Sequence, residues 1–312
     1  MSQYNRELKV AIEIIRKAFL ITEWFRKKGI ESFYFKKLDQ SPVTLADFAS
    51  QIYLISQLRE YFQDDQIIAE EENIEFIDQE AEILIKQCFE ELGINKPTIL
   101  KENIGYRGKS SERKWTIDPI DGTIGYQKGL SYAIGVGFMV ESNPKICAIA
   151  VPNYNEKSLA IFSAEENQGA HVSYNTNVFK PIKVSQNEKI HKIRLCHSLH
   201  YDKPWVLDFA RKIGIRNFIQ IDSMAKFSMV ADGTADLYIK PLDAEHSFTW
   251  DFMPGDLIVR EAGGLVTDLK GERLKFKEEK CLWTVPGIIA TNGILQNKIL
   301  ELIKRNYLNH IN

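Results

Sequence analysis

The residues best suited to chemistry begin with Asp118-Pro119-Ile120-Asp121-Gly122-Thr123. Proline fixes φ and removes an N–H donor. Glycine allows a tight backbone path. Between them the chain is expected to turn sharply, aiming two carboxylates and the Ile120 carbonyl at one point. Three converging oxygens suit a hard cation such as Mg²⁺, with Mn²⁺ as the other choice for an all-oxygen site. If a short helix follows, the N–H groups of Gly122 and Thr123 lie at its positive end, where a phosphate binds. The bland alternative is a surface turn with an Asx cap, which explains Asp-Pro or Asp-Gly singly better than all six residues together. Glu70-Glu71-Glu72 closes the apolar run Gln66-Ile67-Ile68-Ala69; alone it reads as a solvated acidic face. Trp250-Asp251-Phe252 stands ahead of a helix leading to Glu261-Ala262-Gly263-Gly264, and N-capping is the plain alternative for Asp251. Several like charges in one pocket need a cation to be stable, so the three segments gain force together. No Gly-x-Ser-x-Gly elbow and no reactive cysteine context appear, which leaves metal-assisted attack by water rather than a covalent intermediate.

The elements that must position these residues follow from periodicity. Residues 4–28 carry Leu8, Ala11, Ile12, Ile15, Phe19 and Phe25 at helical spacing, stopped by Gly29. A second helix starts near Thr44, with Asp47 completing a capping box. Gln66–Ala69 reads as a strand, and a helix is expected over 78–92. Lys114-Trp115-Thr116-Ile117 reads as a strand running into the acidic turn. Strands follow at 132–141, 145–152 and 157–163, with turns at Asn143-Pro144 and Asn155-Glu156 favouring antiparallel pairing. Beyond about 186 the texture is α/β: strands at 193–197, 218–221, 235–240 and 264–269 alternate with helices at 204–213, 223–231 and 252–262. Asp232-Gly233 reads as a helix stop. The expected organisation is an α+β half over 1–185, carrying most metal ligands, and an α/β half over 186–312, carrying Asp251 and the substrate residues.

The chain has 312 residues, 44% hydrophobic and 26% charged, ordinary for a globular protein with a large core. Forty basic and 42 acidic residues give a net charge of -2, which argues against a nucleic-acid binder. Cys88, Cys147, Cys196 and Cys281 lie far apart and form neither a zinc framework nor a disulfide scaffold. Buried reduced thiols, no signal-peptide pattern and no run of ~20 apolar residues give an expected cytoplasmic protein without a membrane partner.

Ala69-Glu70-Glu71, Asp118 through Thr123, and Trp250-Asp251 through Glu261-Ala262-Gly263-Gly264 resemble, in order, the three motifs of the lithium-sensitive, Mg²⁺-dependent inositol monophosphatase superfamily. Ala69 stands where that family usually has glycine. Asp39-Gln40-Ser41-Pro42-Val43-Thr44, with Asp47 and Gln51, is similar to a segment of its 3′(2′),5′-bisphosphate nucleotidase branch, as is Asp222-Ser223-Met224-Ala225-Lys226-Phe227. The resemblance implies a layered αβαβα sandwich. It implies one ion between Glu70, Asp118 and the Ile120 carbonyl, a second between Asp118, Asp121 and Asp251, and a weaker third on Glu70. Thr123 would hydrogen-bond the attacking water and Asp47 would accept from Thr123, although Asp47 fits its capping box equally well. Glu71 would sit behind the ligands. Lys226 and Lys240 would hold the phosphate that is not cleaved; Lys240 replaces an arginine and loses its bidentate fork. Ser223, Tyr238, Asp251 and the His197-Ser198 pair would face the nucleotide, with His200 competing with His197.

The implied activity is removal of the 3′-phosphate of adenosine 3′,5′-bisphosphate, with 3′-phosphoadenylyl sulfate as a further substrate. The implied partner is a phosphorylated nucleotide, the chain acting as monomer or homodimer. The runner-up is an inositol-phosphate phosphatase, against which Asp222–Lys226 weighs. A catalytically inactive nucleotide-binding protein is the reading from another class; Thr123, Asp47 and the full set of acidic residues weigh against it.

Overall fold

A computed structural model describes residues 3–29, 34–37, 41–72, 74–94, 100–156, 159–200, 204–242, 247–278, 280–282 and 287–306. Asp39 and Gln40 lie outside the described residues, as does the side chain of Cys281. The first half runs α1 (Asn5–Lys27), β1 (Tyr34–Lys36), β2 (Pro42–Thr44), α2 (Leu45–Tyr61), β3 (Gln66–Ala69), α3 (Gln79–Glu91), α4 (Leu100–Ile104), β4 (Arg113–Asp121), α5 (Thr123–Gln127), β5 (Ala133–Val140), β6 (Asn143–Pro152), β7 (Leu159–Glu165), β8 (Gly169–Tyr174) and β9 (Lys180–Ile182). The second half runs β10 (Arg194–His197), α6 (Pro204–Lys212), β11 (Asn217–Gln220), α7 (Ala225–Ala231), β12 (Leu237–Pro241), α8 (Thr249–Glu261), β13 (Leu265–Asp268), β14 (Lys275–Lys277), β15 (Lys280–Leu282), β16 (Gly287–Thr291) and α9 (Gln296–Asn306).

Strands β3 to β9 form a seven-stranded sheet in sequence order, antiparallel except for the parallel β3–β4 pair. The second sheet has the order β11-β10-β12-β16-β13 and is mixed: β10 is parallel to β11 and β12, while β16 is antiparallel to β12 and β13. Period-2 alternation gives each sheet two apolar faces and so three cores. One face of the seven-stranded sheet, through Trp115, Ile117 and Phe138, packs on α1 and α2 through Phe25 and Phe48. Its other face, through Cys147, Ile149 and Phe162, packs on α7 and α8, which also cover Cys196, Tyr238 and Ile288 of the second sheet. The outer face of the second sheet, through Leu195, Ile239 and Ile289, packs on α6 and α9. The result is five layers, helix–sheet–helix–sheet–helix, as the resemblance implied. Glycine sets the tightness of the middle layer: a Cβ on Gly137 would lie 2.4 Å from Met253 Cε, and one on Gly255 would lie 2.3 Å from the Phe227 ring.

Several boundaries differ from the sequence expectations. Asn143-Pro144 opens β6; the turn is made one step earlier by Glu141 and Ser142, both at positive φ. Strands β8, β9 and β14 to β16 and helix α9 carried no expectation. Helix α8 starts at Thr249, so Asp251 lies in its first turn rather than ahead of it. Helix α7 starts at Ala225, with Ser223 in the left-handed region at φ 70°.

Candidate active site

The Asp118–Asp121 segment is not a free turn. The β4–β5 ladder runs through it, with Asp118 opposite Gly135 and Asp121 opposite Ala133, so Pro119 and Ile120 form a bulge. A bulge re-aims side chains while the strand stays anchored. Asp118 Oδ1 accepts from the Ile120 N–H at 3.1 Å. Gly122 follows at φ 90° and caps α5. A side chain there would be strained, and its Cβ would meet Ser223 Cβ at 3.3 Å. Helix α5 is a single turn, so any anion binding at Gly122 and Thr123 rests on two N–H groups, not on a long macrodipole.

One oxygen from each carboxylate of Asp118, Asp121 and Asp251 lies within 4.8 Å of the others. The three come from β4, from its end and from α8, so the cluster joins both halves. Asp118 is buried and the other two half-buried. Burial pushes the Asp118 carboxyl well above its usual range, reinforced by Glu70, Asp121 and Asp251. Burial also raises Asp251, to about 8, against the pull of Lys240. Asp121 is raised by burial and lowered in part by Lys240, by Lys226 and by the Met224 N–H, which donates to its Oδ2. Three crowded carboxylates, one buried and two half-buried, are the donor set a hard divalent cation satisfies.

Glu70 stands beside this trio, not within it. Its Oε1 accepts from Lys37 Nζ at 2.8 Å, and the same ammonium donates to Glu71 Oε1 at 2.7 Å. Burial works against the Lys37 ammonium, yet Glu70 and Glu71 outweigh it and hold its pKa above the usual lysine range. Glu71 is 2% exposed, so it is indeed a buried neighbour of the ligand candidates. Gln51 fixes this corner: its Oε1 accepts from the Glu71 N–H at 2.9 Å and its Nε2 donates to the Glu71 carbonyl at 2.6 Å. Arg107 bonds the carbonyls of Ala69 and Glu71 from the other side, at 3.4 Å each. Lys37 and Arg107 went unread in the sequence.

Asp47 does both of the things expected of it. Its Oδ2 accepts from the Thr44 N–H at 2.8 Å and from the Thr44 hydroxyl, closing the capping box. Its Oδ1 is left to accept from Thr123 Oγ1 at 3.4 Å. Thr123 Oγ1 also reaches the Ile120 carbonyl at 3.2 Å. Burial pushes the Asp47 carboxyl up to about 7, opposed by its bonds to Thr44 and reinforced by Glu70.

These groups line a cavity of 780 Å³ whose walls include Lys37, Glu70, Asp118, Thr123, Asp251 and Lys226. Ser198, Ser223, Tyr238 and Lys240 line it too. Lys226 is 3% exposed; its Nζ donates to the Ile221 carbonyl at 3.2 Å and lies 5.3 Å from the Tyr238 ring centre. Burial pushes its pKa down to about 8, partly offset by Asp121. Lys240 Nζ lies 5.2 Å from the Phe252 ring centre. His197 is not among the residues lining the cavity, and its ring meets the Phe218 ring edge-on at 6.2 Å. Strand parity explains this. On β10, Cys196 faces the middle layer, so Leu195 and His197 face the outer one. His200, beyond the strand, lines the cavity instead.

The model of the Inositol monophosphatase family matches residues 3–307. A 3′(2′),5′-bisphosphate nucleotidase of Emericella nidulans is 30% identical, over 97% of this chain and 98% of its own length. The 3′(2′),5′-bisphosphate nucleotidase of Schizosaccharomyces pombe is also 30% identical, over 96% and 95%. Among solved structures, the IMPase of Thermotoga maritima superposes with a TM-score of 0.70 at 21% identity, covering 96% of this chain and 97% of that one. A 2′AMP-bound SaIMPase-II gives 0.63 at 20%, covering 96% and 92%. The match extends through all five layers and both halves of the acidic site, and the chain belongs to the inositol monophosphatase family.

Proposed function

We propose that the chain is a Mg²⁺-dependent phosphatase that hydrolyses the 3′-phosphate of adenosine 3′,5′-bisphosphate to AMP and phosphate. The observation that carries this reading is one cavity in which an acidic cluster, Asp118–Asp121–Asp251, faces two lysines, Lys226 and Lys240. A phosphatase acting on a monophosphate needs only the first. A substrate with a second, uncleaved phosphate also needs cations to receive it. The names of the curated relatives, 3′(2′),5′-bisphosphate nucleotidases, support the same reading.

Asp118, Asp121 and Asp251 would hold one ion, and Glu70, Asp118 and the Ile120 carbonyl another; Mn²⁺ fits the same oxygens. When bound, such ions acidify a water and neutralise the leaving oxygen. The chain's own residues supply the rest. Thr123 Oγ1 takes the hydrogen bond of the attacking water and passes a proton toward Asp47 Oδ1, 3.4 Å away. With its pKa near 7, Asp47 can accept that proton at neutral pH. Gly122 and Thr123 offer N–H groups to the phosphate being cleaved. Lys226 and Lys240 take the other phosphate, and Ser198, Ser223 and Tyr238 flank the nucleoside. His200 replaces His197 in that last group.

The test is phosphate release from adenosine 3′,5′-bisphosphate in Mg²⁺ and in chelator, beside inositol 1-phosphate. Release that needs Mg²⁺ and favours the bisphosphate supports the reading. Preference for inositol 1-phosphate would replace it with the inositol-phosphate phosphatase, and no release from either would make the chain a binding protein.

A further inference from the structure

At the solvent-facing edge of the cavity, three residues from three segments form a chain of hydrogen bonds. Lys128, the C-cap of α5, places its Nζ 2.9 Å from His200 Nε2. His200 Nδ1 lies 2.5 Å from Asp222 Oδ2. The Asp222 carboxylate is 1% exposed at the side chain and is fixed by the N–H groups of Leu199 at 2.9 Å and His200 at 3.4 Å on its Oδ1. Its own N–H donates to Ser131 Oγ at 3.2 Å. The His–Asp half is therefore held from several sides, and Lys128 is the exposed half.

The donor and acceptor inventory fixes the proton. An ammonium only donates, so Nε2 of His200 must accept. The ring is then neutral and its proton sits on Nδ1, pointing at a carboxylate that only accepts. An imidazolium would place a second N–H against the ammonium. Both ring nitrogens are thus in use, which leaves the ring's carbon atoms and π face as its means of meeting a ligand.

We propose that Lys128 is a positioning residue that closes His200 to polar readout, so that this corner of the cavity meets a nucleotide base by ring contact and does not distinguish an amino from a keto group. The proposal deepens the nucleotidase reading and rests on it for the choice of ligand. Adenosine and inosine 3′,5′-bisphosphates test it, because they share size and stacking surface and differ by that one group.

Nitrogen-15 shifts of the His200 imidazole are expected to show a protonated Nδ1 and a bare Nε2. The wild-type kcat/KM values for the two nucleotides are expected to agree within about 3-fold, less than a full net hydrogen bond. Lys128→Met frees Nε2 to accept from the adenine amino group, so preference for adenosine should rise by roughly 3- to 10-fold, the worth of one net hydrogen bond. Lys128→Arg, again a pure donor, should keep the wild-type ratio. Lys128 is exposed, so neither change threatens folding. A proton on Nε2, a wild-type preference beyond about 10-fold, or a Lys128→Met ratio equal to wild type overturns the proposal. Should neither nucleotide be hydrolysed, the nucleotidase reading fails, and the nitrogen shifts alone decide the state of His200.

Discussion

On one side of the cavity Glu70 and Glu71 share the Lys37 ammonium at 2.8 and 2.7 Å. On the other, Asp118, Asp121 and Asp251 converge within 4.8 Å, with Lys226 and Lys240 acting on Asp121 only through space. The first group has one ammonium of the fold shared between its two carboxyls. In the second, burial raises all three carboxyls, as it raises Glu71 in the first, with Lys240 and Lys226 pulling Asp121 the other way. The trio is the side at which the proposed cation would bind, and the following experiments set the two sides against each other.

The largest effect belongs to the open side. Chelator should abolish phosphate release and Mg²⁺ restore it. Asp121→Asn keeps the shape and removes one charge from the trio; kcat should fall by about 10²-fold or more, on the order of 3 kcal/mol in the barrier. The variant should fold, because relieving repulsion among crowded carboxylates does not harm the native state. Normal activity would remove Asp121 from the site.

The next effect is on stability. A carboxyl whose folded pKa lies above its unfolded value favours folding only while it holds its proton. Asp47 is raised to about 7 and Asp251 to about 8, with Asp118 and Asp121 raised as well. Their contribution is present below about pH 4 and is lost as pH rises through the folded values near 7 and 8. In chelator, Tm should therefore drop by roughly 5 °C between pH 5.5 and 8.5. In saturating Mg²⁺ the order should reverse, because the ion favours the ionised ligands. A chelated protein equally stable at both pH values would mean the trio is not as strained as its burial implies.

The contrast between the two sides was only half visible in the sequence. The Thr44–Asp47 capping box is local, its partners three residues apart, and Asp118 through Thr123 is a contiguous run, so the residue types alone announce both even though Met224, Asp47 and Asp251 reach that run from afar. Five layers followed from the resemblance, and the α/β alternation of the second half gave the helices that fill the middle layer. Lys37 escaped because its partners stand 33 and 34 residues away and only the fold brings them together. The sequence leaves His197 and His200 in competition because strand parity depends on which face of β10 meets α7, and no single strand reveals that. The mixed order β12-β16-β13 was hidden for a like reason: β16 follows a hairpin and pairs between strands laid down earlier.

Lys226 bears on the open side from the substrate's direction. A charge-assisted contact to phosphate is worth roughly 1.5–3 kcal/mol, about 10- to 150-fold. Lys226→Ala should lower kcat/KM for adenosine 3′,5′-bisphosphate by about that factor and leave 3′-AMP, which has no 5′-phosphate, nearly unchanged. Equal losses on both would assign Lys226 to the reaction centre, through its influence on Asp121, and not to the second phosphate.

The smallest effect belongs to the paired side. Lys37→Met keeps the length of the side chain and removes the ammonium, leaving Glu70 and Glu71 facing each other with side-chain exposures of 24% and 3%. An uncompensated buried charge is costly, but Glu70 is partly wetted and the pair can share a proton, so the loss should be about 2 kcal/mol. For a chain of this size that is about 3 °C in Tm, measured in chelator. Mg²⁺ should recover most of it, since a cation can then sit where the ammonium was. The wild type, which already has the ammonium there, should gain less from the ion at this corner. If Lys37→Met in chelator melts with the wild type, the Lys37 pairing contributes nothing, and the two sides of the cavity differ in geometry but not in how their charge is held.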